Sequence, residues 1–438
     1  MALIALGLWY LNNRDVAIYC VDFSTFKAPK EWIVNHEQLM KIMRNQDCFT
    51  EDSLTFMEKI LLQSGVGEAT AWPPGIIKCL EKGIVADRSA KAAREEADIV
   101  MTDVVAQLLK KTNTKPSEID ILVINCSLFS PTPSLCSMVI NKFGMRSDIM
   151  SYNLSGMGCS AGVISLELAK NVLSSRPNSL ALIISTETIT PNLYHGNERE
   201  FLLQNTLFRC GGAAILLSNK WTDAYRSWFK LLHCVRTQYI KEESFGCVLE
   251  DEDAHRHRGV KLSKDIVKVA GRAMEKNFTS MGPYVLPFSE QFFTAISIIR
   301  VYLHKRFSKK VKNEDGTYTF RTPAPVPYVP DFKRGIDHFC IHAGGRAVID
   351  GIEKNLSLTP THVLASRETL RTYGNTSSSS IWYEMDFIRQ NMDMKSGQRV
   401  LQIAFGSGFK CNSAAWLCLR HNRSTRVNSA SSDDSKDD

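Results

Sequence analysis

Apolar positions in this chain fall into short unbroken runs and longer mixed ones. Ile119-Asp-Ile-Leu-Val-Ile-Asn-Cys126 and Leu180-Ala-Leu-Ile-Ile-Ser-Thr186 read as strands buried on both faces. Gly211-Gly-Ala-Ala-Ile-Leu-Leu-Ser218 reads as a third. Between the first two, Ala161 to Leu173 carries two charges, Glu167 and Lys170, and otherwise reads as a mostly apolar helix. Buried strands alternating with helices predict an α/β fold with a largely parallel sheet.

The second half repeats this order. Gly335–Gly344 echoes Glu118–Ser127, and Arg399–Phe405 takes the place of the 180–186 strand. Thr372–Ser380, leading into a helix from about Ile381, takes the place of the turn before Ala161. Two similar βα halves, 19–220 and 221–422, predict one site at the interface between them.

Three segments break the pattern. Residues 305–333 are basic, then rich in proline (Pro323, Pro325, Pro327, Pro330), and read as a loop. The tail, 423–438, is rich in Ser and Asp and reads as disordered. The first eleven residues are apolar, half of the roughly 20 that a membrane span needs. The 1–18 stub therefore reads as a surface helix, a signal-like segment or a truncated anchor. Phe292 to Leu303 is also apolar, with Arg300 inside it and Lys305, Arg306, Lys309, Lys310 and Lys312 after it. It reads either as a helix at a lipid interface or as a core helix running into a solvated loop.

Composition is that of an ordinary globular protein, 44% apolar and 23% charged. The net charge of +7 suits an anionic ligand, such as a coenzyme's phosphates, or an anionic membrane surface. No nucleic-acid-binding motif is present. Twelve scattered cysteines without a CxxC pair point to buried thiols in a reducing compartment.

One cysteine stands apart. Cys159 lies in Asn153-Leu-Ser-Gly-Met-Gly-Cys-Ser-Ala-Gly162, framed by Gly156, Gly158 and Gly162. At a helix N-terminus it would face unpaired N–H groups and the positive end of the dipole, which favour the nucleophilic thiolate. The glycines would let a substrate carbonyl approach the backbone. His338 and His342 are on a strand, where four residues span about 13 Å, too far to share a metal. His342 falls at the strand's C-terminal edge, where α/β sites form, and His338 deeper. Asn375, in Gly374-Asn-Thr-Ser-Ser-Ser-Ser380, is either a helix N-cap or an amide donor to an oxyanion. Gly406-Ser407-Gly408 is either an ordinary turn or a further source of backbone N–H groups. Cysteine, histidine and asparagine together admit papain-like hydrolysis or thioester condensation. The duplicated pattern and the glycine-rich cysteine turn favour condensation.

Asn153–Gly162, Asn197-Glu-Arg199 with Leu207–Ala214, His338–Asp350 and Gly374–Glu384 closely resemble the 3-ketoacyl-CoA synthases. These are condensing enzymes of very-long-chain fatty acid elongation, related to chalcone synthases and ketoacyl-carrier-protein synthase III. The resemblance runs from about Val21 to Leu419. It implies a thiolase-like five-layer α-β-α-β-α fold with pseudo-two-fold halves, and acyl transfer from acyl-CoA to Cys159. Malonyl-CoA would then be decarboxylated, with His342 and Asn375 on the thioester oxygen. Backbone N–H groups of Cys159 and the Gly406–Gly408 loop would hold the second oxyanion. No metal or redox cofactor is implied. The implied partners are acyl-CoA, malonyl-CoA, a second copy of the chain and other elongase enzymes, at the cytosolic face of the endoplasmic reticulum membrane. Gln238 and Arg371 stand where the family usually has histidines, and the short stub stands where it usually has two membrane spans. A polyketide-type synthase with a smaller starter and a non-catalytic elongase scaffold are the rival readings.

Overall fold

Strands without a polar face need cover on both sides. The computed structural model, which describes residues 16–308, 310–312, 318–320, 323 and 325–421, supplies that cover in layers. The first fifteen residues of the apolar stub and the 423–438 tail lie outside the described residues. One sheet contains β1 Tyr19–Thr25, β2 Ile121–Asn125, β3 Met150–Leu154, β4 Leu180–Glu187, β5 Gly211–Ser218, β6 Phe229–Gln238, β7 His338–Ile341, β8 Arg399–Gly406 and β9 Lys410–Cys418. Their order across it is β7-β8-β9-β6-β1-β5-β4-β2-β3.

The repeat is visible in that order. In the first half β2 pairs parallel with β3 and β4, and β5 runs antiparallel between β4 and β1. In the second, β7 and β8 are parallel, and β9 runs antiparallel between β8 and β6. Thus β2, β4, β5 and β1 correspond in order to β7, β8, β9 and β6. The halves join where Tyr19 and Cys20 pair with Lys230 and Phe229.

Six helices matter here: α1 Ala90–Thr112, α2 Ala161–Ser175, α3 Ile266–Val285, α4 Phe288–Phe307, α5 Pro360–Tyr373 and α6 Ser380–Asn391. Helix α2 touches β2 and β4 of one half and β8 and β9 of the other. Helix α6 touches β7 and β8 as well as β1 and β5. These two form the central layer. Helix α1 covers the outer face of the first half, and α3 and α5 that of the second, which completes the five layers. Alternation along a strand matches this stacking. Ile121 and Val123 join the central apolar cluster, while Leu122 and Ile124 join the outer one under α1. On β8, Val400 and Ala404 face the centre, while Leu401 and Ile403 face the cluster under α3.

Two readings of the intervening segment change. The apolar run 292–303 lies in α4, which is not a core helix, since Glu290 is its one buried residue. The stretch after it is not wholly a loop, because Lys310–Lys312 pairs with Tyr318–Phe320. Among the described residues, no helix is long and apolar enough to cross a membrane.

The central layer is tight. A Cβ at Gly162, in the first turn of α2, would lie 2.6 Å from the Ser378 carbonyl oxygen. Gly271, inside α3, has room, its nearest contact being Asn355 Nδ2 at 3.6 Å. Alanine favours helix by about 1 kcal/mol over glycine, whereas overpacking costs about 1–3 kcal/mol. Gly162→Ala should therefore lower stability in urea unfolding despite its better propensity. Gly271→Ala should be neutral or stabilising by up to about 1 kcal/mol.

Candidate active site

The C-terminal ends of β2 and β4 in one half and of β7 and β8 in the other converge at the junction, where they deliver Asn125, Glu187, His342 and Gly406. Cys159 meets them from a 3₁₀ turn, Gly158–Ser160, that opens α2. Gly156 and Gly158 have φ of +65° and +66°, a region that side chains disfavour. A Cβ on Gly158 would lie 2.5 Å from the Ser407 nitrogen, and one on Gly406 would lie 2.4 Å from Ser160 Oγ. So Gly158 and Gly162 admit the backbone of the other half, not a substrate carbonyl. Gly156 alone of the three faces open space.

A cleft of about 290 Å3 lies over this junction, lined by Cys159 and Glu187 from the first half and Gln238, Ser377, Ser407 and Gly408 from the second. A far smaller void, of about 20 Å3, shares its walls Leu128, Phe208 and Val260. Of the twelve cysteines, all free thiols, only Cys48 and Cys159 escape full burial, and only Cys159 lines the larger cleft.

The serine run 377–380 stitches the site together. Ser377 Oγ donates to Glu187 Oε2 at 2.9 Å, and Ser378 Oγ donates to Asn125 Oδ1 at 2.6 Å. Asn125 Nδ2 in turn donates to Ser165 and Ser185, each at 2.8 Å. Ser380 Oγ lies 2.6 Å from His342 Nδ1. Ser377 itself sits at φ +56°, a backbone strain held by these contacts. Its hydroxyl is also the polar neighbour that favours the Cys159 thiolate, so Ser377 stands between Cys159 and Glu187.

The resting thiol is neutral. Although its sulfur reaches the cleft, desolvation by the packed junction pushes Cys159 up to about 12 from 9.0, with Ser377 opposing the rise and Glu187 adding to it. That is on the order of 4 kcal/mol against the thiolate, while a helix dipole supplies at most about 2 kcal/mol. The expected dipole activation is therefore outweighed. Burial likewise pushes His342 down to about 4, so its imidazole is uncharged at neutral pH.

The expected residues sort into three groups. Cys159, Gln238, Ser407 and Gly408 share the cleft. His342 and Asn375, each 4% exposed, lie behind it. They are joined to one another at Gly344, whose carbonyl accepts from Asn375 Nδ2 at 3.3 Å and where a Cβ would come within 3.1 Å of the His342 ring. Asn375 Oδ1 also accepts from Ser377 N at 2.9 Å, so the amide caps the 3₁₀ turn as well. Among the described residues, His342 Nε2 makes no hydrogen bond. Gly406 packs against Ser160 rather than lining the cleft.

His338 and Arg371 are not part of the site. His338 begins β7, at the opposite end from His342, and its Nε2 lies 3.1 Å from Gln398 Oε1. Arg371 sits on the exposed side of α5 and pairs with Glu368 at 2.6 Å. Glu187 was missed. It ends a strand read correctly from sequence, the same signal that singled out His342. Burial raises its pKa, and it accepts from the Ser127 and Leu128 nitrogens at 2.9 and 2.8 Å. Through Ser377 it can take the thiol's proton.

This is the site architecture of a thiolase-like condensing enzyme, and comparison with known proteins agrees. Residues 10–303 match the FAE1/Type III polyketide synthase-like protein family, and residues 333–418 match the 3-oxoacyl-(acyl-carrier-protein) synthase III C terminal. The chain is 49% identical to 3-ketoacyl-CoA synthase 5 of Arabidopsis thaliana over 412 residues, covering 94% of this chain and 79% of the relative. A probable 3-ketoacyl-CoA synthase 20 of Oryza sativa subsp. japonica is 44% identical over 94% of this chain and 75% of its own. Among solved structures, CsyB complexed with CoA-SH superposes with a TM-score of 0.66 at 18% identity, covering 92% of this chain and 100% of that one. PKS-I of the brown alga Ectocarpus siliculosus gives 0.69 at 15%, covering 93% and 100%. The chain belongs to the 3-ketoacyl-CoA synthases, condensing acyltransferases of fatty acid elongation.

A neutral resting thiol makes alkylation of Cys159 by iodoacetamide keep rising with pH to beyond pH 9. A plateau near pH 7 would mean a preformed thiolate. Gln238→Ala should lower kcat/KM for condensation by about tenfold, whereas Arg371→Ala should leave it unchanged.

Proposed function

We propose that this protein joins malonyl-CoA to a long-chain acyl-CoA through an acyl-Cys159 intermediate. The observation that carries this reading is the thiol placed where the turns of both halves meet, on a cleft continuous with apolar walls. The Cys159 sulfur attacks the acyl thioester carbonyl, and the CoA sulfur leaves with the thiol's proton, relayed through Ser377 and Glu187. Malonyl-CoA follows. Its bond to the carboxylate breaks, CO2 departs, and the electron pair forms an enolate. With Ser380 donating to Nδ1, His342 Nε2 carries the imidazole N–H. That N–H and the Asn375 amide hold the enolate oxygen. The carbanion attacks the acyl carbonyl, whose oxyanion rests on the backbone N–H groups of Cys159 and the Ser407–Gly408 loop. Cys159 leaves as thiolate and takes up a proton. The product is a 3-oxoacyl-CoA two carbons longer.

The steps are redox-neutral, so no redox cofactor is required, and the two N–H donors take the place a Lewis acid would fill. The cleft beside Cys159 has apolar walls at Leu128, Phe208, Phe245, Val248, Leu249 and Val260, against which an acyl chain can lie. These walls favour a bound acyl group over a non-catalytic scaffold, and the 49% identity to 3-ketoacyl-CoA synthases favours a long starter over the small one of a polyketide-type synthase. The enzyme works as a homodimer with other elongase enzymes, at the cytosolic face of the endoplasmic reticulum membrane, a reading supported by its lipid substrate and its +7 charge.

The test separates the two stages. His342→Ala should still transfer acyl groups to Cys159 but lose malonyl-CoA decarboxylation by about 10²–10³-fold. Asn375→Asp should impair the same step, because a carboxylate repels the enolate. Equal loss of both stages in His342→Ala would refute its role. Turnover of only short or aromatic starters in an acyl-CoA length series would refute the elongation reading.

A further inference from the structure

Helix α4 is built inside out. The stripe that faces the protein is Glu290, Thr294, Ser297, Val301 and His304, at the three- and four-residue spacing of one helix face. Glu290 is 1% exposed and accepts from Tyr328 OH at 2.6 Å, Asp331 N at 2.9 Å and Arg334 Nη1 at 3.0 Å. Ser297 Oγ accepts from Tyr328 N at 2.8 Å. Polar bonds therefore fasten the helix to the protein, while its apolar side chains point away. Phe288 is 82% exposed, Phe292 54%, Ile298 64%, Ile299 55%, Tyr302 64% and Phe307 75%. Burial of such side chains is normally what holds a helix to a protein, and a contiguous exposed set of this size marks an interaction surface.

We propose that this face of α4 docks on an anionic lipid surface. The helix carries Arg300 in its outer half and ends in exposed Lys305 and Arg306, with Lys309, Lys310 and Lys312 following in sequence. Aromatic and aliphatic side chains beside a basic end are the composition of a helix lying in the headgroup region. At 20 residues it is about 30 Å long, and its charges keep it in the plane of the surface. Arg300 can extend toward headgroups from such a position. A second copy is a poorer occupant. A lipid surface uses the apolar stripe and the basic end together, whereas a paired copy would cover the stripe alone. The benefit of the docking, holding the cleft near membrane-dissolved acyl chains, rests on the function proposed above. The docking itself does not.

The test uses the full chain and vesicles of phosphatidylcholine with or without phosphatidylserine. The parent should co-sediment with the anionic vesicles. Lys305→Glu/Arg306→Glu and Phe292→Ser/Ile299→Ser should each weaken that binding by about tenfold or more, with condensation of a soluble short-chain acyl-CoA unchanged. In Phe292→Trp, brominated lipid should quench fluorescence beyond the quenching seen in the parent. Absence of vesicle binding, unchanged binding in both double variants, or no added quenching would overturn the proposal. So would self-association without lipid that Phe292→Ser/Ile299→Ser abolishes, which would assign the face to a second copy. Vesicle binding without any 3-oxoacyl-CoA product would refute the function and leave the docking standing.

Discussion

The whole site depends on three backbone turns approaching with no room for a single extra carbon. Gly158 against Ser407, Gly162 against Ser378 and Gly406 against Ser160 each leave less than 3 Å for a Cβ. Such gaps are closed to every residue but glycine without displacement. The turns come from opposite halves of a duplicated fold, so their contact is what makes two halves one enzyme. Helices α2 and α6 bring the turns together because both are buried between half-sheets and cannot slide without opening the central core.

Hydroxyl groups then tie the turns to the strand ends. Ser377 reaches Glu187, Ser378 reaches Asn125 and Ser380 reaches His342. The network crosses the junction between halves, so it sets the mutual position of thiol, carboxyl and imidazole. Its burial also sets their charge. Desolvation keeps Cys159 protonated and His342 neutral. A neutral thiol and a neutral imidazole suit a reaction whose charge appears only as the enolate and oxyanion form, where fixed N–H donors in a low-dielectric cleft are most effective.

Much of this was legible in the sequence. The apolar runs read at 119–126, 180–186, 211–218 and 399–405 became strands because their Val, Ile, Leu and Ala side chains are buried on both faces. The echo of 118–127 in 335–344 became corresponding strands in the two halves, and Cys159, Gln238 and Ser407 do meet in one cleft. The errors have physical causes. The dipole argument for Cys159 counted the helix end but not the desolvation that a packed junction imposes. His338 shares its strand with His342, yet a four-residue strand carries its two ends to opposite edges of the sheet. Arg371 is adjacent in sequence to the Asn375 turn, but α5 turns its side chain outward. Glu187 went unnoticed because a carboxylate at a strand end is silent until Ser377 arrives from the other half. Helix α4 has an apolar pattern that suits a core, and only the burial of Glu290 shows which way it faces.

The account stands or falls on whether Cys159 carries the acyl chain. Incubation of the purified chain with a long-chain acyl-CoA alone, followed by intact-mass measurement and peptide mapping, reads this directly. The account predicts one acyl group, on the peptide containing Cys159, that is discharged as a 3-oxoacyl-CoA when malonyl-CoA is added. A folded protein that takes up no acyl group, or takes it up on another cysteine, would contradict it.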